Sequence, residues 1–296
     1  MGQYSEKFLE HISQVRRYAS HTVLSYKNDL NQFELFLKVH FGMQDGHQAG
    51  PAMIRSWLAE LSRRGVARST FNRKASTLRS YYKYLEKSGV IEASPMLKIN
   101  SLKKDRRLPV FVEEDKISAL FEQTAFGQDF KDLRDLLMLE MFYTTGMRLS
   151  ELINMKHGDV DTQGLQLKIT GKGNKERIIP MLGRVAGIFQ AYCLEKAKKF
   201  DKDAAQWVFV TDKGEKLYPV FVQRRVNHYL GKVTTRSKKS PHVIRHSFAT
   251  HMLNHGADLN AIKELLGHSN LSATQVYTHN TIEKIKQVYK QAHPKA

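Results

Sequence analysis

Along the first hundred residues, apolar side chains recur every three or four positions. Phe8, Ile12 and Val15 begin the pattern, and Val23, Tyr26, Leu30, Phe33 and Leu37 continue it. Ile54, Trp57, Leu58 and Leu61 make a third stripe, and Leu78, Tyr81, Tyr82 and Leu85 a fourth. This spacing matches the turn of an α-helix with one face in a core. Ser20 and Ser69 stand where the second and fourth helices want N-caps. Around Ser94-Pro95 the period stops. Residues 94–109 are bounded by prolines and carry Lys98, Lys103, Lys104, Arg106 and Arg107. They read as a basic linker between a helical domain, 1–93, and a second domain, 110–296.

The second domain mixes periods. Glu113–Thr124 and Asp129–Tyr143 have helical spacing, as does Arg184–Phe200. Leu165, Leu167 and Ile169 alternate with polar residues, as a strand does. The turn-rich run 170–175 follows, and Arg177–Pro180 resumes an extended pattern, so a β-hairpin with lysines at its tip is predicted. Trp207–Val210 reads as a further short strand. From Pro219 onward the pattern is helical. The fold class expected is mainly α, with a small β-sheet in the second domain.

Charge changes this picture from fold to partner. The chain has 47 Lys and Arg against 29 Asp and Glu, a net +18. The excess is shared: residues 1–105 carry +8 and the rest +10. Both domains therefore suit a polyanion such as double-stranded DNA. In the first domain the faces opposite the apolar stripes hold Arg63, Arg64, Arg68, Arg73, Lys74 and Arg79. With Lys103 and Lys104 of the linker, these are the candidate phosphate contacts. The single cysteine, Cys193, excludes an internal disulfide and fits a reducing cytoplasm. No apolar signal core or bilayer-length run is present, so a cytoplasmic protein without a membrane partner is expected.

Four segments carry candidate chemistry. In the first, 144–152, Gly146 ends a helix, and Arg148 and Glu151 lie three apart, close enough for the carboxylate to orient the guanidinium. The second is the hairpin tip with Lys172 and Lys175, which lacks the GxxxxGK[ST] pattern of a phosphate loop. The third begins with Ser240 as N-cap and Pro241 as first helical residue, setting His242 and Arg245 near a helix N-terminus that attracts phosphate. The spacing of His242 and His246 also allows a metal reading, but HExxH and a Cys cluster are absent, and no metal is expected. In the fourth, Gly267 ends a helix, His268 stands in the turn, and Ser272 and Gln275 form a capping box for a helix carrying Tyr277. Together the set meets the needs of phosphodiester transfer. Tyr277 supplies an attacking oxygen and Arg148 and Arg245 supply forked donors. His268 adds a donor, Lys172 an acid with Lys175 as the rival for that role, and His242 a proton acceptor. Fixed cations of this kind need no cofactor.

At these residues the sequence resembles the tyrosine recombinase, or phage integrase, family, and within it most closely the bacterial Xer recombinases. The matching pieces are TTGMRLSEL, TGKGNKERIIP, HVIRHSFATHML and LLGHSNLSATQVYTH, in family order. The resemblance implies a SAM-like core-binding domain followed by a mixed α/β catalytic domain. It implies that Arg148, Lys172, His242, Arg245, His268 and Tyr277 are the catalytic set, with Glu151 in support. It further implies a 3′-phosphotyrosine intermediate and a tetramer on DNA, either of one chain or with a sister recombinase. A tail helix over 280–291 would dock on a neighbouring subunit, and a septal DNA translocase is a further expected partner. Chromosome dimer resolution is the role implied. Alternatives are an integrase of a mobile element, a type IB topoisomerase, and a DNA-binding protein with a degenerate site.

Overall fold

The chain divides into two units, Met1–Arg107 and Leu108–Ala296. The computed structural model describes residues 1–97, 99, 102, 110–124, 126–171, 176–200, 206–235, 238–267, 288–289 and 291–294.

The first unit is helical. Its elements are α1 (Gln3–Glu10), α2 (Ser20–Phe41), α3 (Pro51–Arg63) and α4 (Arg68–Lys87). The four apolar stripes meet in one core of Phe8, Leu30, Phe33, Leu37, Ile54, Trp57, Leu78, Tyr81, Tyr82 and Leu85. Val15 is the exception: it is largely exposed, because the chain widens into a π-turn over His11–Val15 and the helical register is lost. Ser20 and Ser69 do not cap; Ala19 and Ala67 occupy the N-cap positions and the serines enter the first turn. Part of the stretch read as a linker packs on this unit. Met96 and Ile99 are buried in its core, Asn72 exchanges two hydrogen bonds of 2.9 Å with the Leu102 backbone, and Arg79 donates to the Ile99 carbonyl at 3.0 Å. The apolar residues of that stretch, Met96 and Ile99, are what hold it there.

The second unit contains α5 (Glu114–Gln123), α6 (Phe130–Thr145), α7 (Leu149–Ile153), α8 (Gly183–Lys199), α9 (Pro219–Val233), α10 (Pro241–Asn254) and α11 (Leu259–Leu266). Its sheet has three antiparallel strands in order, β1 (Val160–Asp161), β2 (Gln166–Thr170) and β3 (Glu176–Pro180). The predicted hairpin is β2 with β3, in register Leu167 to Ile179 and Ile169 to Arg177. Trp207–Val210 is no strand of that sheet. Its Val208, Phe209 and Val210 are buried, but its pairing is limited to single bridges, Lys156 to Trp207 and Val210 to Lys216.

Helix α6 runs through the middle of this unit, buried along nearly its whole length. Asp129 caps its start by accepting from Asp132 N at 2.8 Å. Its buried Asp135 accepts from Arg134 Nε at 3.0 Å, Arg225 Nε at 2.6 Å and Tyr229 Oη at 3.2 Å, which ties α9 to α6. Gly146 ends it at φ +59°. Any side chain there would collide with Phe248 and Leu266 within 2.7 Å, so glycine is required both by conformation and by space. Near the C-terminus, Tyr289 is buried in the same unit and donates to the Thr144 carbonyl at 2.8 Å. Ile282, Ile285, Val288 and Tyr289 are spaced as one apolar face of the expected tail helix; Val288 and Tyr289 pack within their own chain, and Ile282 and Ile285 lie outside the described residues.

Candidate active site

Three arginines and one carboxylate converge at the C-terminal end of α11. Arg148 stands at the N-cap of α7, and Glu151, three residues on, folds back to accept from Arg148 N at 2.7 Å and from Arg148 Nη1 at 2.8 Å. This is the geometry that the Arg-x-x-Glu spacing predicts. Arg177 donates to the same carboxylate through both prongs of its fork, Nη1 to Oε1 at 2.9 Å and Nη2 to Oε2 at 2.8 Å. Arg245 reaches the cluster from the second turn of α10. Ser240 and Pro241 start that helix as predicted, the Ser240 hydroxyl accepting from Val243 N at 3.3 Å.

The last carbonyls of α11 complete the arrangement. A helix leaves its final carbonyls without partners along its own axis, and that end attracts cations. Arg177 Nε takes Leu265 O at 2.8 Å, Arg245 Nη2 takes Leu266 O at 2.7 Å, and Arg148 Nη2 takes Gly267 O at 2.7 Å. Arg245 Nη1 also donates to Gly146 O at 2.5 Å. Gly267 has φ +64°, and a side chain on it would press on the Arg177 guanidinium.

The electrostatics are unbalanced. Three guanidinium charges face a single carboxylate. Burial alone would raise the Glu151 pKa, but the hydrogen bonds and charge of Arg177, then the donors of Arg148, hold it down at about 2. Arg245 is lowered to about 10, first by burial and then by the charge of Arg148. Arg148 keeps 37% of its side chain exposed, whereas Glu151 and Arg177 are buried. The cluster is therefore a preassembled cationic centre with one open side, suited to an anion.

Of the sequence-predicted residues, the structure brings together Arg148, Glu151 and Arg245. His242 lies exposed on the first turn of α10. Lys172, His268 and Tyr277 lie outside the described residues, as do Lys103 and Lys104. Sequence reasoning assigns no role to Arg177, although a signal exists. In β3 it shares the inward face with Ile179 and pairs across to Ile169, and a cation in that register needs a buried partner.

In the first unit the candidate phosphate contacts separate. Arg63 is exposed. Arg64 is exposed and pairs with Glu60. Arg68 opens α4, exposed. Arg73 is exposed and pairs with Asp29. Arg79 is half-buried on the Ile99 carbonyl. Lys74 corrects the sequence reading: it is buried, and its ammonium donates to Asp29 at 2.9 Å and Gln32 at 2.5 Å. It stands on the inner side of α4 and its charge is neutralised within the unit. Among the described residues, no helix is long and apolar enough to cross a membrane.

Comparison with known proteins agrees with this architecture. The Phage integrase family matches residues 111–284, and the Phage integrase, N-terminal SAM-like domain matches residues 6–89. Tyrosine recombinase XerC of Chlorobaculum tepidum is 36% identical over 98% of this chain and 94% of its own. That of Pelotomaculum thermopropionicum is 36% identical over 100% and 99%. Among solved structures, a XerH site-specific recombinase bound to palindromic difH substrate superposes with TM-score 0.71 at 20% identity, covering 96% of this chain and 83% of that one. The Tn1549 transposon integrase with transposon right end DNA gives 0.69 at 16% identity, covering 96% and 98%. At those identities the likeness is one of fold.

Proposed function

The chain belongs to the phage integrase family of tyrosine recombinases, enzymes that cleave and rejoin DNA, and from that premise we propose that it is a site-specific recombinase of the Xer type acting through a 3′-phosphotyrosine. The observation that carries this reading is the convergence of Arg148 and Arg245 on one open, cationic centre.

The chemistry follows from the residue types. The Tyr277 oxygen attacks the scissile phosphorus as His242 helps to accept its proton, since a phenol of pKa about 10 is mostly protonated at neutral pH. Arg148 and Arg245 stabilise charge on the non-bridging oxygens, with His268 as a further donor. The P–O bond to the 5′-oxygen breaks, and Lys172 gives that oxygen its proton. The 5′-hydroxyl of a partner duplex then attacks the phosphotyrosine and releases the phenol. One phosphodiester is exchanged for another, so no ATP is consumed and fixed cations do the electrostatic work of a metal. Two duplexes held by four protomers, of one chain or with a sister recombinase, fit this exchange. The biological reading is resolution of chromosome dimers in the cytoplasm, with a septal DNA translocase as partner.

The test is covalent trapping. The protein is incubated with a nicked duplex carrying a site that it has selected from random sequence, in EDTA. A protein–DNA adduct resistant to denaturant is expected, with Tyr277→Phe binding the duplex but forming none. An adduct with Tyr277→Phe rules out that nucleophile, and cleavage abolished by EDTA rules out the metal-free route.

A further inference from the structure

The two arginines proposed for catalysis do not hold themselves in place. Their settings depend on the last turn of α11, whose carbonyls at 265, 266 and 267 each accept from a different guanidinium. Arg177 and Arg245 are both buried, at 5% and 7% exposure, and Arg177 stands on β3 with its side chain against the end of α11. Its planar fork makes three bonds at once, two to Glu151 and one to Leu265 O, all between 2.8 and 2.9 Å. Glu151 in turn fixes Arg148, and α11 fixes Arg245. Arg148 also touches both supports, through Glu151 and Gly267 O, but Arg177 is the buried side chain whose fork spans both carboxylate oxygens while its Nε holds the last turn of α11.

We propose that Arg177 is a positioning residue for DNA cleavage, setting the separation and orientation of the Arg148 and Arg245 forks by locking Glu151 to the end of α11. The inference rests on the recombinase reading above. A rigid planar fork is what the task requires. A lysine at 177 keeps the charge, but its tetrahedral ammonium on a flexible stem cannot span both carboxylate oxygens and a carbonyl in fixed geometry. A site whose donors shift by about an ångström loses rate while keeping most of its binding. The left-handed Gly267 belongs to the same device: its φ of +64° suits glycine, and a Cβ there would lie 3.1 Å from Arg177 Nη1, so the guanidinium would have to give way by a few tenths of an ångström.

The experiment compares the unaltered chain with Arg177→Lys and Arg177→Met on two nicked duplexes of the selected site. One carries an ordinary scissile phosphate, the other a methylphosphonate there, which lacks one negative oxygen. Single-turnover cleavage rates are taken at saturating DNA and normalised to binding-competent protein, so that unfolded material lowers the amplitude and not the rate constant. Expected is near-unchanged duplex affinity, with cleavage of the phosphate slowed on the order of 10–100-fold by Arg177→Lys and further by Arg177→Met. The methylphosphonate should be slowed much less, because it asks less of the arginine forks. A residue that merely supports the fold would slow both substrates equally or neither, and that result overturns the proposal. Failure of the unaltered chain to form an adduct on the phosphate duplex would instead strike the recombinase reading on which it depends.

Discussion

Asp29 in the first unit and Glu151 in the second are both buried carboxylates among basic side chains, and they do different things. Asp29 of α2 accepts from Lys74, from Arg73 and from the Thr77 hydroxyl, and Lys74 finds a second acceptor in Gln32. Glu151 of α7 accepts from Arg148 and Arg177, with Arg245 close enough to feel its charge. Around Asp29 the donors converge on the carboxylate, and Lys74 is shut off from solvent. Around Glu151 three guanidiniums share one negative charge, rest their remaining donors on backbone carbonyls, and leave Arg148 partly open to solvent. The first also has one cation more than its carboxylate balances, but that surplus rests on Arg73, which faces solvent, while the Lys74 ammonium is fully bonded within the fold. The second is short of negative charge, which an incoming phosphate would supply. Excess charge held in a fixed frame, rather than the mere presence of buried ions, is what separates a site from a strut.

If that contrast is right, the strongest effect comes from breaking the strut. Asp29→Ala leaves Lys74 buried without its counter-charge and should destabilise the protein by about 3–5 kcal/mol. Urea unfolding measures the loss, and the cleavage rate per bound protomer should stay within about twofold. Arg245→Met does the reverse. It removes a charge that the site holds in excess, so stability should change little, while cleavage falls about 10²–10³-fold, the range for losing one donor to a developing anion. A large loss of stability with the rate constant intact would make the Glu151 cluster a second strut.

How much of this the sequence discloses differs between the two clusters for a physical reason. Arg148 and Glu151 are three apart in the chain, so their pairing is local and can be read from spacing. Arg245 is legible because Ser240 and Pro241 announce the helix start that places it. Arg177 pairs with a residue 26 positions away, and Lys74 with one 45 away. Which cation meets which carboxylate over such distances is decided by how strands and helices pack, and periodicity carries only the hint that a charge has fallen on an inward face. The four apolar stripes that built the first core were legible for the opposite reason, since a period needs no long-range partner. The bridge strand at Trp207–Val210 was misread because a short buried run looks the same whether or not it is hydrogen-bonded into a sheet.

Acid offers a milder probe of the same contrast. Glu151 is held at about 2 in the fold, below an ordinary carboxylate near 4.5. A depressed carboxylate contributes stability that is present above the unfolded value and is lost as pH falls through the folded one. The full contribution is about 3 kcal/mol, at about 1.4 kcal/mol for each pKa unit. Unfolding free energy followed from pH 7 to pH 3 should therefore drop, and the drop should be shallower in Glu151→Gln, which has no charge to lose. Equal slopes in the two proteins would mean that Glu151 is not the group holding its arginines together.

The smallest expected effect decides whether Lys74 belongs to the strut or to the DNA face. Each phosphate neutralised by a cation releases counterions, so log K falls with log salt by about 0.9 per contact on duplex DNA. Arg63 is exposed, and if it meets a phosphate, Arg63→Ala should flatten the slope by about that amount. Lys74 is already neutralised by Asp29 inside the unit and displaces no counterion when DNA arrives. Lys74→Met, which removes the ammonium that lies over the Trp57 ring and keeps an unbranched apolar side chain, should therefore leave the slope unchanged, measured well below its melting temperature so that the folded fraction is constant. The affinity itself should shift only slightly and by the same factor at every salt concentration. A slope flattened by about 0.9 would mean that the ammonium leaves Asp29 for a phosphate on binding, and the division between a cluster bonded within the fold and an open one would then fail on its simpler side.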